Sequence, residues 1–105
     1  MANKFHAKRT WSNLCEREFA SKAECRRGEE LYALELYGAI RNLEYQPKFV
    51  LATEPYKVTY SADFKYIDEN NNTVYEDVKG MLSRDTRTKI AWVLEKFGVG
   101  VKLIR

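Results

Sequence analysis

The sequence predicts an α/β domain with a mixed sheet flanked by helices, in the order α-β-β-β-α-β. Three observations lead there. A serine and a glutamate three residues apart open a helical apolar stripe at Ser21. Two alternating segments flank an asparagine-rich turn at residues 68–72. A second helical stripe separates the later of those segments from a short apolar alternation near residue 105. A helix between two strands of one sheet forms a crossover, so the final strand is expected to run parallel to a neighbour.

Residues 1–20 show no clear period. They read as a basic N-terminal arm, tacked by Trp11, Leu14 and Phe19 onto a single domain at residues 21–105. Ser21 and Glu24 form a capping box, and the helix is expected to run to about Arg41. Glu24, Gly28, Leu31, Leu34 and Gly38 share one stripe, whose glycines permit close approach to a sheet. Residues 43–52 read as a strand interrupted at Pro47, which favours an edge or a bend. Along residues 56–67, Val58, Tyr60, Ala62, Phe64 and Tyr66 face one way, and Lys57, Thr59, Ser61, Asp63 and Lys65 the other. The turn from Asp68 to Asn72 returns the chain into a strand at 73–79, ended by Gly80. Ser83 or Asp85 caps a second helix at roughly 86–97, with Ile90, Val93, Leu94 and Phe97 as its stripe and Gly98 as its stop. Val99, Val101 and Leu103 alternate along the last strand.

Net charge is +3 but unevenly placed. Residues 1–27 carry seven basic and three acidic residues, 28–78 four and ten, 79–105 seven and two. Basic ends around an acidic middle suit a phosphate-binding surface around a cation site, and equally an ordinary solvated surface. Cys15 and Cys25 with the single His6 do not make a zinc site, so two reduced thiols are expected. Apolar runs reach only about five residues, against roughly 20 for a membrane-spanning helix. The first residues lack the apolar core of a secretory signal, which points to the cytoplasm.

Pairing across the asparagine turn sets Ile67 opposite Thr73, and by extension Asp63 opposite Asp77 and Ser61 opposite Lys79. Directly opposed like charges are destabilising. A hard divalent cation such as Mg²⁺ reverses the sign of that interaction. Glu76 falls on the other face with Val74 and Val78, and is expected to be replaceable. A slip of one residue would exchange the two acids. Glu24 is the natural third acid, although it can instead close the capping box onto the Ser21 N–H. Lys79 is placed to hold an attacking water or to stabilise developing charge, or to pair with Asp63 or Asp77. Arg84, Arg87 and Lys89 begin the second helix, and Lys4, Lys8 and Arg9 lie in the arm. All six are candidate nucleic-acid phosphate contacts, each equally readable as solvated charge. Trp11 and Trp92 read as core rather than as base-stacking platforms.

S-A-D-F at 61–64 and E-D-V-K-G at 76–80, preceded by S-K-A-E at 21–24 and Q-P-K-F at 46–49, resemble the PD-(D/E)xK nuclease superfamily. More narrowly, they resemble a family of small phage and prophage proteins within it. The resemblance covers residues 19–105. It implies a restriction-endonuclease-like core and a metal-dependent endonuclease, with Mg²⁺ (Mn²⁺ as substitute), hydrolysing DNA phosphodiester bonds in a bacterial host cell. Branched DNA and replication or recombination intermediates are the expected substrates. By position, Glu24 resembles the first-helix acid, Asp63 the motif aspartate, Asp77 the second acid and Lys79 the motif lysine. Glu24, Asp63, Asp77 and the carbonyl of Val78 are then the metal ligands. Ala62 stands where the superfamily's name has proline, a residue the chemistry does not require. A domain this small offers little surface for long DNA, so a homodimer is expected. The alternative is a non-catalytic DNA- or protein-binding module on the same fold.

Overall fold

Residues 8–105 are described by a computed structural model. In chain order the elements are β1 (Thr10–Ser12), β2 (Arg17–Phe19), α1 (Lys22–Leu36), β3 (Arg41–Tyr45), β4 (Lys48–Ala52), β5 (Val58–Ser61), β6 (Phe64–Ile67), β7 (Thr73–Val78), α2 (Arg84–Phe97) and β8 (Val101–Ile104). A four-stranded mixed sheet runs β3-β6-β7-β8, and β1-β2 and β4-β5 form two small antiparallel pairs. β8 lies parallel to β7, as the α2 crossover requires. No helix among the described residues is long and apolar enough to cross a membrane.

The cap of α1 is the expected one: the Ser21 hydroxyl accepts from the Glu24 N–H at 3.1 Å. The helix stops at Leu36, short of Arg41. Gly38 sits at φ +80°, and the N–H groups of Gly38 and Ala39 fold back onto the carbonyls of Glu35 and Leu34. Gly38 is therefore the helix stop, not part of its stripe. Gly28 does mark a close approach, but to β2: a Cβ there would lie 2.6 Å from Phe19 Cζ. Leu31 is fully buried, while Leu34 is exposed.

From Thr10 onward the expected arm is a hairpin. β1 and β2 pair with Thr10 opposite Phe19, and the buried Ser12 hydroxyl donates to Glu29 of α1 at 2.6 Å. Phe19 ties the hairpin to the core as expected, whereas Trp11 is 59% exposed and Leu14 is also exposed. Lys4 and His6 lie outside the described residues. Both cysteines are free thiols.

The two middle strands break where the sequence suggested one bend. The expected strand at 43–52 splits at Gln46–Pro47, and the expected strand at 56–67 splits at Ala62–Asp63. The breaks face each other: the Gln46 N–H donates to the Asp63 carbonyl at 2.9 Å, and the Ala62 N–H to the Pro47 carbonyl at 3.0 Å. Pro47 has no N–H to continue a ladder. Beyond this kink β4 and β5 leave the main sheet, and the side-chain alternation changes phase. Tyr60 and Ala62 pack with Leu51 and Val93 in one core. Phe64 and Tyr66 pack with Phe19, Cys25, Leu31 and Ile40 in the other. The expectation that all four share one face is corrected by the kink.

The hairpin register is the expected one from Ile67–Thr73 to Phe64–Glu76. It ends there. Ser61 lies opposite Lys48 of β4 rather than Lys79, and the Lys79 N–H bonds Ile104 of β8. Ser83 caps α2, and Gly98 at φ +69° stops it. Val93 is fully buried beneath that helix, but Leu94, Phe97 and Trp92 are exposed, so Trp92 is not core.

Candidate metal and catalytic site

Glu76 and Asp77 are neighbours on β7, and neither side chain has any exposed surface. Strand alternation sends them to opposite faces. On one face, Asp77 Oδ2 accepts the Tyr60 hydroxyl. Asp77 Oδ1 has no hydrogen-bond partner among the described residues. Instead Oδ1 forms a salt bridge with the partly exposed Lys79 ammonium at 3.3 Å, so the expected alternative pairing of Lys79 with Asp77 is present. A buried carboxylate oxygen left without a donor is costly, by about 1–3 kcal/mol.

Asp63 reaches the same place through the kink. Its N–H keeps the ladder bond to the Glu76 carbonyl at 2.9 Å. Its carboxylate turns onto β7, where Oδ2 accepts the Val78 N–H at 2.7 Å. Burial, then a hydrogen bond between the Asp63 and Asp77 carboxyls and the charges of Glu24 and Asp77, push the Asp63 carboxyl up to about 8, against the opposing pull of the Val78 N–H; while protonated, Asp63 is itself a donor for Asp77. Glu24 stands in the first turn of α1. Burial raises its pKa as well, partly offset by Lys79 and reinforced by Asp77. Glu24 thus senses both aspartates, and no hydrogen bond joins its carboxylate to the Ser21 N–H. Asp63, Asp77 and Lys79 are brought together; Glu24 reaches them only through charge interactions, with no hydrogen bond or ion pair to them among the described residues.

Among the described residues, no group of three or more His, Cys, Asp or Glu side chains is placed to hold a metal ion. Mg²⁺ does not need one, since it is commonly held by one or two carboxylates while keeping several waters. Asp77 Oδ1, beside a second buried carboxylate already oriented by a backbone N–H, suits a hard divalent cation.

On the other face, Glu76 is satisfied throughout. Arg27 donates from Nε to Oε1 at 2.8 Å and from Nη2 to Oε2 at 2.7 Å, and Tyr66 donates its hydroxyl to Oε2. Burial alone would raise the Glu76 carboxyl; the bonds from Arg27 and Tyr66 outweigh it and hold its pKa below the ordinary value. The face assignment of Glu76 stands, but the expectation that it is replaceable does not, because it is half of a buried ion pair. Sequence reasoning missed Arg27, Tyr66 and Tyr60. The position of Arg27, one turn after Glu24, was the available signal for the first. Tyr60 was assigned away from Asp63, and only the kink reverses that.

The basic candidates divide. Arg84 and Arg87 are exposed at the start of α2, with no ion pair among the described residues. Lys89 is held by Asp85 at 3.2 Å. Arg9 is held by Glu18 at 2.9 Å, and Lys8 is exposed.

The family model described as protein of unknown function (DUF1064) matches residues 2–103. No curated protein and no solved structure matches. With nearly its whole length covered by that match, the chain belongs to the DUF1064 family.

Proposed function

We propose that this protein is a divalent-metal-dependent DNA endonuclease of the PD-(D/E)xK type, with a restriction-endonuclease-like core. One observation supports the reading: a fully buried Asp77 set against the buried Asp63, with its Oδ1 accepting no hydrogen bond and facing only the Lys79 ammonium. Glu24, Asp63, Asp77 and the Val78 carbonyl would hold Mg²⁺ or Mn²⁺. Once bound, such an ion acidifies water and neutralises charge on a phosphoryl group. Tyr60 fixes Asp77 through Oδ2 and so leaves Oδ1 to face the ion. Lys79 presents its ammonium at the partly exposed rim, where it orients the attacking water and offsets charge on the phosphate. Arg84 and Arg87 grip the DNA backbone. The substrate class, branched DNA or a replication or recombination intermediate, and the phage origin follow from the sequence resemblance; the homodimer follows from the little surface that a domain this small offers to long DNA.

The salt bridge that occupies both Lys79 and Asp77 supports a second reading, a DNA- or protein-binding module without catalysis. One assay separates the two. Supercoiled, linear, single-stranded and four-way-junction DNA are incubated with the protein and Mg²⁺ or Mn²⁺, beside Asp77→Ala and Lys79→Ala. Cleavage by the wild type, lost in both variants, is expected. DNA binding without cleavage under every condition would establish the module instead.

A further inference from the structure

We propose that the Arg27–Glu76–Tyr66 cluster is a positioning hub that sets the three site acids relative to one another from the opposite side of the sheet. The proposal rests on the endonuclease reading. Each leg of the hub lies within three residues of one acid: Arg27 follows Glu24 by one helical turn on α1, Tyr66 follows Asp63 along β6, and Glu76 precedes Asp77 on β7. The three elements meet at the Glu76 carboxylate, which takes two guanidinium N–H groups and one phenol hydroxyl. The Arg27 Nη1 is further anchored by Glu30 at 3.0 Å.

Apolar packing brings these elements together: α1 touches β1, β2, β3 and β7, and its Cys25 and Leu31 share one core with Phe64, Tyr66, Val74 and Val78. Apolar contacts are non-directional and resist sliding poorly. A two-pronged guanidinium–carboxylate pair is directional, and it fixes both the rotation and the height of one element against another. A buried ion pair is a weak source of stability, since apolar groups of like volume do as well. Its geometric specificity is what three acids on three elements require. Oxygen ligands held by well-oriented supporting groups commonly owe 10–100-fold in metal affinity to them.

The test is Mn²⁺ binding by titration calorimetry, with a thermal melt of each variant to report folding. Arg27→Lys keeps the charge and loses the two-pronged grip; it is expected to fold and to bind Mn²⁺ about 10–100-fold more weakly. Glu24→Ala and the double variant Glu24→Ala/Arg27→Lys complete a cycle. If Arg27 acts through Glu24, its substitution adds little once Glu24 is gone. Wild-type Mn²⁺ affinity in Arg27→Lys, or losses that simply add, would reduce the cluster to a structural pair. Tyr66→Phe removes one hydroxyl and carries the test should Arg27→Lys not fold: weakened Mn²⁺ binding supports the hub and unchanged binding overturns it. A wild-type protein that binds no Mn²⁺ defeats the endonuclease reading and the hub together, whereas wild-type binding with additive losses defeats the hub alone.

Discussion

The two faces of β7 handle the same problem in opposite ways. Glu76 and Asp77 are both completely buried carboxylates. Glu76 meets Arg27 and Tyr66, and both its oxygens are occupied. Asp77 meets one tyrosine hydroxyl, a second carboxylate and the Lys79 ammonium, and its Oδ1 accepts no hydrogen bond. A protein stabilises a buried charge by pairing it; the first arrangement does so with two directional donors, the second with one partly exposed ammonium at 3.3 Å. The difference teaches where to look for function: in the burial least compensated, not in the count of acids.

The largest expected effect lies in the contrast between two conservative substitutions. Glu76→Gln removes the buried partner of Arg27, which keeps only Glu30 and some solvent; breaking a fully buried pair typically costs about 3–5 kcal/mol, and this one is expected at or below the low end. For a domain with only about 5–15 kcal/mol in total, that is a large fall in melting temperature. Asp77→Asn keeps an acceptor for Tyr60 and removes a charge facing Asp63. Without metal it is expected to melt at or above the wild-type temperature, and to lose any stabilisation by Mn²⁺. Equal destabilisation by the two, measured by thermal melts with and without Mn²⁺, would erase the distinction between the faces.

A smaller effect is expected from pH, and it too differs between the faces. The folded pKa of Asp63 is raised to about 8. A carboxyl raised in the folded state favours folding while protonated, so its contribution is present at acid pH and is lost as pH rises toward 8. The folded pKa of Glu76 is lowered, so its contribution is present above the ordinary carboxylate range and is lost as pH falls through its folded value. Between about pH 5 and 8 the Glu76 side is constant and the Asp63 side is not. The metal-free protein should therefore melt progressively lower across that window, and Asp63→Asn should flatten the trend. A wild-type melting temperature that holds level or rises across the window would count against the crowding of Asp63 by Asp77 and Glu24.

What was legible in the sequence follows from the range of the interactions involved. The caps at Ser21 and Ser83, the stop at Gly98 and the β6–β7 register are set by residues within a few positions of one another. So were the face assignments of Glu76 and Asp77, which need only strand alternation. The kink at Ala62–Asp63 depends on a facing break at Gln46–Pro47, and neither segment announces the other. Unbroken alternation across 56–67 therefore predicts the wrong face for Tyr60. The Arg27–Glu76 pair joins residues 49 positions apart, and the N-terminal hairpin depends on the Ser12–Glu29 contact with α1. Charges that look replaceable along a strand are judged only when the opposing element is in place.

Tyr60 gives the finest test of the comparison, because it touches the Asp77 side without carrying charge. Its hydroxyl donates to Asp77 Oδ2. Tyr60→Phe keeps the ring against Phe49 and deletes that donor. Asp77 Oδ2 then lies buried without it, at a cost of about 1–3 kcal/mol in the metal-free protein. If Asp77 is a ligand, the bond also selects which oxygen it offers, and an orienting contact of this kind commonly accounts for about tenfold or more in metal affinity. The two effects separate by measurement: melting temperature without metal reports the lost bond, and Mn²⁺ titration reports the lost orientation. Tyr66→Phe, its counterpart across the sheet, removes only one of the three donors on Glu76, and should cost less in the metal-free melt. A Tyr60→Phe variant that melts lower yet binds Mn²⁺ as the wild type does would leave Asp77 a buried structural acid, no different in kind from Glu76.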